Sequence, residues 1–317
     1  MNNTLYIVIP CYNEEEALPL TGRTMLEKLR ALAGSGRISG ESRVLLVDDG
    51  SRDGTWRMIE KLAEDFPEYC GVKLSGNRGT QSAIMAGLAF AEKLADMAIT
   101  TDADLQDDVN AIDKMVDEFL SGADIVYGVR SKRETDTVFK RVTAVTFYRL
   151  LRLLGCGVVF NHSDFRLLSR RAMSALGEYP ERDLFVRGIV PMLGFKSAVV
   201  TYERSERSAG ETKYSFRSLL RLAASGVASL SLKPLRLIML LGAVMMLISA
   251  AGLIAALAAG GVTTAGLTLS SVWFVGGIVT CALGIVGEYA GRAYMEAKRR
   301  PRYHIEATAG INTKPEH

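Results

Sequence analysis

The chain has 317 residues, and its 38 Lys and Arg against 35 Asp and Glu leave a formal net charge of +3. This length allows one sizeable domain with a membrane segment, or two small domains. The small net charge, with no basic patch that interleaves with aromatic residues, argues against nucleic acid as a partner.

The first part of the chain alternates short apolar runs with segments of helical periodicity, which predicts βαβ units around a mostly parallel sheet. Strands are predicted at Leu5–Ile9, Val44–Val47, Val72–Leu74, Ala98–Thr101 and Ile125–Tyr127. Helices are predicted between them at Glu14–Ala33, Thr55–Phe66, Gln81–Leu94 and Ala111–Leu120. We therefore expect residues 1–205 to form an α/β domain.

Acidic residues follow three of the predicted strands. Glu14 comes after the first strand, Asp48 and Asp49 after the second, and Asp102 and Asp104 after the fourth. Ligands of open α/β sheets bind at the carboxyl ends of the strands, so these turns predict a binding site. Two carboxylates at a strand end can hold a divalent cation against a diphosphate, and oxygen ligands favour Mg²⁺ or Mn²⁺.

A long apolar run begins after Arg236 and contains no Asp, Glu, Lys, Arg or His before Glu288. Residues 236–290 are predicted to form two transmembrane helices of ~20 residues each, at Leu237–Ala258 and Leu267–Gly287. Small residues in both spans would let helices approach closely, within the hairpin or between protomers. The absence of charge within the spans argues against a transporter.

Basic residues flank the apolar run on both sides, among them Arg236 before it and Arg292 and Arg302 after it. By the positive-inside rule we therefore expect the α/β domain, the basic tail (residues 291–317) and both termini to be cytoplasmic. Residues 206–235 mix basic and apolar side chains, which predicts amphipathic juxtamembrane helices at the membrane surface. A helix packed on the preceding domain is the alternative.

The ordered motifs of this chain resemble those of glycosyltransferase family 2. The resemblance rests on Ile9–Glu15 (IPCYNEE), Val47–Thr55 (VDDGSRDGT) and Asp102–Asp107 (DADLQD). Within the family the chain is similar to the polyprenyl-phosphate glycosyltransferases, the group of dolichol-phosphate mannose synthase and the bactoprenol glucosyl transferases. Asn161–Leu167 (NHSDFRL) resembles the acceptor-side aspartate motif of that group, and Gly210–Tyr214 (GETKY) resembles its basic segment before the membrane.

The resemblance implies a GT-A type, Rossmann-like fold and a site for a nucleotide sugar. The implied nucleotide-binding residues are Pro10, Tyr12, Glu14, Asp48, Asp49 and Asp102. The implied ligands of Mg²⁺ or Mn²⁺ are Asp102, Asp104 and Gln106. The chain departs from the family after Asn77-Arg78-Gly79, where Thr80 and Gln81 replace the common Lys and Glu.

The acceptor side is expected to hold a lipid phosphate through basic side chains. The candidates are Arg130, Arg133, Lys140, Arg141, Arg207 and Lys213. The resemblance makes Asp164 the candidate base and, with Asp104, the catalytic pair. A phosphate monoester has a second pKa near ~6 and is already nucleophilic at neutral pH. Asp164 could therefore orient the phosphate or a nearby Arg instead of acting mainly as a base.

The implied activity is an inverting transfer of a sugar to polyprenyl phosphate (undecaprenyl phosphate in a bacterium), which would supply lipid-linked sugar for modification of cell-envelope glycans. UDP-glucose is the preferred donor, and GDP-mannose, UDP-N-acetylglucosamine and a UDP-aminopentose remain open. Two other functions were considered. A nucleotidyltransferase would need a Gly-rich loop with basic residues near the start of the chain, and Ile9–Glu16 has neither. A non-catalytic scaffold or a lipid flippase would not need the acidic turns. We expect a homo-oligomer, such as a tetramer, in the inner (cytoplasmic) membrane.

Overall fold

The computed structural model describes residues 3–130, 162–181, 186–203 and 264–310. Strands from all four ranges form one mixed sheet. The strands are β1 (Leu5–Cys11), β2 (Arg43–Asp48), β3 (Tyr69–Leu74), β4 (Met97–Thr100), β5 (Ile125–Arg130), β6 (His162–Ser169), β7 (Ser197–Tyr202) and β8 (Ile305–Ala309). Their order across the sheet is β7-β5-β6-β4-β1-β2-β3-β8.

Helices cover both faces of this sheet. They are α1 (Leu18–Gly34), α2 (Thr55–Asp65), α3 (Thr80–Leu94), α4 (Ala111–Leu120), α5 (Arg170–Gly177), α6 (Val186–Ile189) and α7 (Thr264–Ala297), with a 3-10 helix at Val190–Leu193. Each face of the sheet has its own hydrophobic core, and alternate residues of β1 belong to different ones. Ile7 and Ile9 pack with α1, α2 and α4, whereas Val8 packs with α3 and α5. Burial on both faces explains why β1 is a continuous apolar run.

The predicted parallel core is confirmed, because β1 pairs in parallel with β2 and β4, and β2 pairs in parallel with β3. The sheet is nevertheless mixed, and two antiparallel strands were not predicted. The first, β6, lies between β4 and β5 and is antiparallel to both. Its register pairs Arg166 with Thr100 of β4. The amino end of β6 therefore lies beside the carboxyl end of β4.

The second unpredicted strand, β8, comes from the region predicted as a separate basic tail. It pairs antiparallel with β3, and Lys73 forms an ion pair with Glu306 at 2.9 Å. Arg302, which was predicted only as a basic flank, donates hydrogen bonds to the carbonyl oxygens of Tyr179 and Glu181. Residues after α7 are thus attached to the α/β domain.

The predicted membrane hairpin is not confirmed. The span predicted at Leu237–Ala258 and the amphipathic segment predicted at 206–235 both lie outside the described residues. The span predicted at Leu267–Gly287 falls within α7. Among the helices that the structure describes, none has the length and apolar character needed to cross a membrane.

We expect Gly50→Ala to destabilise the protein. Gly50 has a φ of +68°, and a Cβ at this position would lie 2.5 Å from the carbonyl carbon of Gly76. The left-handed conformation and the overlap together should lower the free energy of unfolding by at least about 2 kcal/mol. Chemical denaturation measures this loss. Gly40→Ala is the control, because a Cβ there meets nothing within 4 Å. Equal stability of the two variants would contradict the expectation.

Candidate active site

The loop after β1 (residues 12–16) and the loop after β2 (residues 49–54) are joined by hydrogen bonds, and together we call them the paired loops. The backbone N–H of Asn13 donates to Ser51 Oγ at 2.9 Å, and Asn13 Oδ1 accepts from the N–H of Arg52 at 2.9 Å. The N–H of Gly54 donates to Glu15 Oε2 at 2.7 Å. These bonds hold the two loops in one arrangement at the carboxyl edge of the sheet.

The residues predicted to bind the nucleotide base lie at this edge. Pro10 is the second-last residue of β1, and Tyr12 and Glu14 lie in the loop that follows. All three residues are partly exposed. The N–H of Glu14 donates to Thr55 Oγ1 at 2.9 Å, which fixes the backbone beside the start of α2. The structure therefore brings these residues together with the end of β2.

The two neighbouring carboxylates after β2 make different contacts. Asp49 accepts the N–H of Arg78 at 2.7 Å and the N–H of Gly79 at 2.8 Å, so both of its oxygens hold that turn. Burial raises the pKa of Asp49, although these bonds oppose the rise. Asp48 accepts the N–H of Ser51 at 3.0 Å, and its Oδ2 is buried without a hydrogen-bond partner among the described residues. Asp48 is thus the better candidate to accept an N–H of a base.

The acidic turn after β4 carries the predicted metal ligands. Desolvation, followed by the charges of Asp164, Asp107 and Asp104, raises the pKa of Asp102 to about 7, and Arg187 opposes this rise. Asp104 Oδ1 accepts the N–H of Gln106 at 3.2 Å, and the Gln106 side chain is partly exposed. Desolvation is therefore the largest cause of the raised pKa of Asp102, and three neighbouring carboxylates add to it.

The donor set of this turn fits a magnesium or manganese ion that is also held by a ligand. No group of three or more His, Cys, Asp and Glu side chains within the described ranges is arranged to hold a metal ion. Mg²⁺ commonly binds through one or two carboxylates and completes its coordination with substrate phosphates and water. Asp102 and Asp104 could supply these carboxylates, and a cation would relieve the repulsion at Asp102.

Asp164 lies at the start of β6, beside the acidic turn, where Thr100 Oγ1 donates to its backbone carbonyl. Its carboxylate accepts from Arg166 Nη2 at 2.7 Å and from Arg187 Nε and Nη2 at 3.0 and 2.8 Å. Gln81 Nε2 donates to the same carboxylate at 3.3 Å. We call Asp164, Arg166, Arg187 and Gln81 the Asp164 cluster.

The Asp164 cluster changes the chemistry expected of this carboxylate. Burial raises the pKa of Asp164, but Arg187, Arg166 and Gln81 outweigh burial and hold the pKa well below its usual range. A carboxylate with so low a pKa is a weak proton acceptor at neutral pH. The cluster therefore favours the orienting role over that of a general base.

Only Arg130 of the six predicted acceptor-side basic residues lies in the part of the chain that the structure describes. Its Nη2 lies 3.4 Å from Asp107 Oδ1, its Nε donates to Tyr202 Oη at 3.3 Å, and Tyr202 in turn donates to Asp107. Arg130 thus compensates the buried Asp107. The remaining residues, outside the described ranges, are Arg133, Lys140, Arg141, Arg207 and Lys213.

Two members of the Asp164 cluster, Arg187 and Gln81, were not among the site residues predicted from the sequence. Arg187 is the only charge in Val186-Arg187-Gly188-Ile189-Val190, and its apolar neighbours Val186, Ile189 and Val190 are buried. A single charge within a buried apolar segment was the available signal. Gln81 was noted only as a departure from the family, and its Oε1 is buried without a partner among the described residues.

Comparisons with known proteins find similarity over most of the chain. The family model for glycosyl transferase family 2 matches residues 6–177. The chain is 45% identical over 306 residues to the uncharacterized glycosyltransferase YkoT of Bacillus subtilis, covering 95% of this chain and 91% of the relative. It is 36% identical over 308 residues to the prophage bactoprenol glucosyl transferase homolog of Escherichia coli, covering 95% and 97%. It is also 36% identical over 309 residues to the bactoprenol glucosyl transferase of Shigella phage SfX, covering 95% and 98%.

We expect Asp102→Asn to be more stable than the wild type at pH 8 when no metal is present. The pKa of Asp102 is about 7 in the folded protein, against about 3.9 in an unfolded chain. The folded state thus binds this proton more tightly, and stability falls as the pH rises from about 4 to about 7. Asn removes this loss and should raise Tm by about 2–4 °C for each kcal/mol recovered.

Thermal unfolding of both proteins at pH 5 and pH 8 measures this difference. The variant should gain more over the wild type at pH 8 than at pH 5. Adding Mn²⁺ at pH 8 should stabilise the wild type more than the variant, because the variant has lost one ligand. If the stability of the two proteins depended on pH in the same way, and Mn²⁺ stabilised them equally, both the raised pKa of Asp102 and its assignment as a metal ligand would be refuted.

Proposed function

Since this chain belongs to glycosyltransferase family 2 and is a glycosyltransferase, we propose that it transfers a sugar from a nucleotide diphosphate to polyprenyl phosphate. The observation that carries this proposal is the position of Asp164 on β6 directly beside the acidic turn that ends β4. Two relatives named for bactoprenol glucosyl transfer, similar over 95% of this chain, support the polyprenyl acceptor.

The nucleotide would bind at the paired loops. Asp48 has a buried carboxylate oxygen that could accept an N–H of the base, and the partly exposed Tyr12 could pack against the base. Asp102 and Asp104 would hold Mg²⁺ or Mn²⁺, which when bound would neutralise charge on the diphosphate leaving group. The paired loops are fixed by their own hydrogen bonds, so donor binding would need little ordering of these backbones.

The acceptor phosphate oxygen would attack the sugar from the side opposite the nucleotide, with inversion and without a covalent intermediate. A phosphate monoester is largely a dianion at neutral pH, so little proton removal is needed. The contacts of Asp164 with Arg166 and Arg187 support a role in orienting groups near the reacting atoms.

UDP-glucose is the donor that we propose, because two of the relatives reported above are named for bactoprenol glucosyl transfer. GDP-mannose, UDP-N-acetylglucosamine and a UDP-aminopentose fit the same chemistry. A panel of these nucleotide sugars, assayed with undecaprenyl phosphate and membrane fractions, identifies the donor by which radiolabelled sugar enters the lipid.

We place this reaction at the cytoplasmic face of the inner membrane. The charge-free run between Arg236 and Glu288 supports a membrane segment. Large apolar side chains of α7 are exposed at a spacing of three or four residues, which puts them on one face of the helix. They are Val272, Val275, Val279, Leu283 and Val286. Lipid or a second apolar helix would cover such a face, and a homo-oligomer, such as a tetramer, is proposed on the same ground.

Asp104→Ala is expected to abolish transfer while the protein stays folded and membrane-bound. A partly exposed carboxylate at a turn contributes to charge neutralisation and not to the core. Transfer from UDP-glucose to undecaprenyl phosphate is measured with Mg²⁺ or Mn²⁺, and EDTA should stop the wild-type reaction until a divalent cation is restored. Asp108→Ala is the matched control, because Asp108 Oδ1 only accepts the N–H of Asn110 at 2.9 Å. Near-wild-type turnover of Asp104→Ala would contradict the assignment of Asp104 as a metal ligand.

Asp164→Asn separates an orienting role from an essential base. If Asp164 orients other groups, the variant should lose less than about 100-fold in kcat at saturating acceptor, since a general base contributes about 10²–10⁴-fold. Its rate should still rise between pH 5 and pH 7, as the acceptor phosphate loses its second proton. A variant inactive at pH 8 with donor binding intact would establish the base. Thermal unfolding is the control, because the variant leaves the buried Arg166 without its anion.

A further inference from the structure

Gln81 lies in the first turn of α3, and its two amide ends have different surroundings. Its Nε2 donates to Asp164 Oδ2 at 3.3 Å, whereas its Oε1 is buried and has no hydrogen-bond partner among the described residues. The reverse orientation of the amide would place two acceptors against each other, because an ionised carboxylate has no hydrogen to donate. The contact with Asp164 therefore decides which end of the amide carries the unpaired acceptor.

The backbone that carries Gln81 is held from the side of the proposed nucleotide site. Asp49, in the paired loops, accepts the N–H groups of Arg78 and Gly79, immediately before α3 begins. The Gln81 side chain then reaches Asp164 on β6, which β4 separates from β1 and β2 in the sheet. Gln81 thus connects the turn held by the paired loops with the aspartate on the acceptor side.

The sugar in the proposed reaction would lie between these two parts of the site. Its diphosphate would be held at the acidic turn by the cation bound to Asp102 and Asp104. The acceptor phosphate would approach from the side of Asp164, whose backbone carbonyl accepts from Thr100 at the end of β4. Gln81 is partly exposed, so its amide lies close to the surface of the space between the two.

The chemistry of an amide oxygen limits which part of the reactants could bind it. Gln81 Oε1 accepts hydrogen bonds and donates none. An ionised diphosphate and a dianionic phosphate monoester are also acceptors, so they offer it no hydrogen. The N–H of the base is assigned to Asp48, at the end of β2. Hydroxyl groups remain, and those of the sugar lie between the diphosphate and the acceptor.

We infer that Gln81 Oε1 accepts a hydrogen bond from a hydroxyl group of the transferred sugar, so that Gln81 helps to determine which sugar is transferred. This inference rests on the proposed function, because it names a contact of the donor in that reaction. A buried acceptor discriminates strongly, since a sugar without this hydroxyl leaves it unpaired. The Glu that is common at this position would set a second carboxylate against Asp164, whereas the amide can bond at both of its ends.

Monodeoxy analogues of UDP-glucose, each without a different sugar hydroxyl, test the inference in the full-length protein. In the wild type, one analogue should lose about 10–100-fold in kcat/KM relative to UDP-glucose. In Gln81→Met, which keeps the length of the side chain without its amide, this loss should shrink to less than about threefold. Gln81→Ala serves the same comparison if Gln81→Met does not fold. If the donor panel identifies another nucleotide sugar, its monodeoxy analogues are used instead.

Ser82→Ala is the matched control in the same turn of α3. Ser82 Oγ donates to the carbonyl oxygen of Arg78 at 3.0 Å. This variant should keep the wild-type loss for every analogue within about twofold. If Gln81 only held Asp164 in place, Gln81→Met would lower kcat/KM for UDP-glucose and all its analogues by one common factor. That result would overturn the inference.

Three further outcomes would overturn the inference while leaving the transfer reaction established. In the first, no analogue loses more than about threefold in the wild type. In the second, Gln81→Met changes only the discrimination against a donor with a deoxyribose, which would assign the contact to the ribose. In the third, Gln81→Met raises the concentration of Mn²⁺ needed for activity and keeps the wild-type preference among sugars, which would assign it to the cation.

Calorimetry tests the contact separately if the wild type transfers no sugar from any donor and the proposed function fails. The dissociation constant for UDP divided by that for UDP-glucose, both measured with Mn²⁺, reports what the sugar contributes to binding. A fall of this ratio by about tenfold in Gln81→Met but not in Ser82→Ala would support the inference. An equal ratio in all three proteins would overturn it.

Discussion

The arrangement of the candidate active site depends on how negative charge is balanced at the end of β4. Arg130 and Tyr202 contact Asp107, and two guanidinium groups contact Asp164, whereas desolvation and neighbouring carboxylates raise the pKa of Asp102 to about 7. Buried charges that are not paired are costly. A cation that arrives with the donor would compensate this charge, so the balance would be complete only when the donor is bound.

The loops at the same edge of the sheet are held in place by hydrogen bonds. The paired loops are linked through Asn13 and Glu15, and Gly50 lets the second loop pass close to Gly76. Asp49 then fixes the next turn through Arg78 and Gly79. Three turns from separate strands are therefore joined at one edge. Electrostatic groups that are held in place beforehand stabilise developing charge without reorganising during the reaction.

The sequence was sufficient to predict the parts of the fold that local patterns determine. The strands β1 to β5 have short apolar runs, and all five were predicted, whereas β7 was not. The strand β6 was missed because Asp164 and Arg166 interrupt its apolar pattern. These charges are tolerated there because Arg187, distant in sequence, completes the ion pairs. The strand β8 was missed for a similar reason, since Ile305–Ala309 is stabilised by pairing with β3, and Lys73 and Glu306 are 233 residues apart.

The same long-range contacts explain why the roles within the site could be predicted only in part. The motifs identified Asp48 and Asp49 as a pair, but only their hydrogen bonds distinguish the one that holds a turn from the one with a remaining oxygen. For Asp164, a covalent double displacement would require an accessible carboxylate as nucleophile. Both of its oxygens instead accept hydrogen bonds from guanidinium groups, which reduces their nucleophilicity. A single displacement by the acceptor phosphate needs no such nucleophile, and the separation of the paired loops from β6 by β4 suits an acceptor that approaches opposite to the leaving nucleotide.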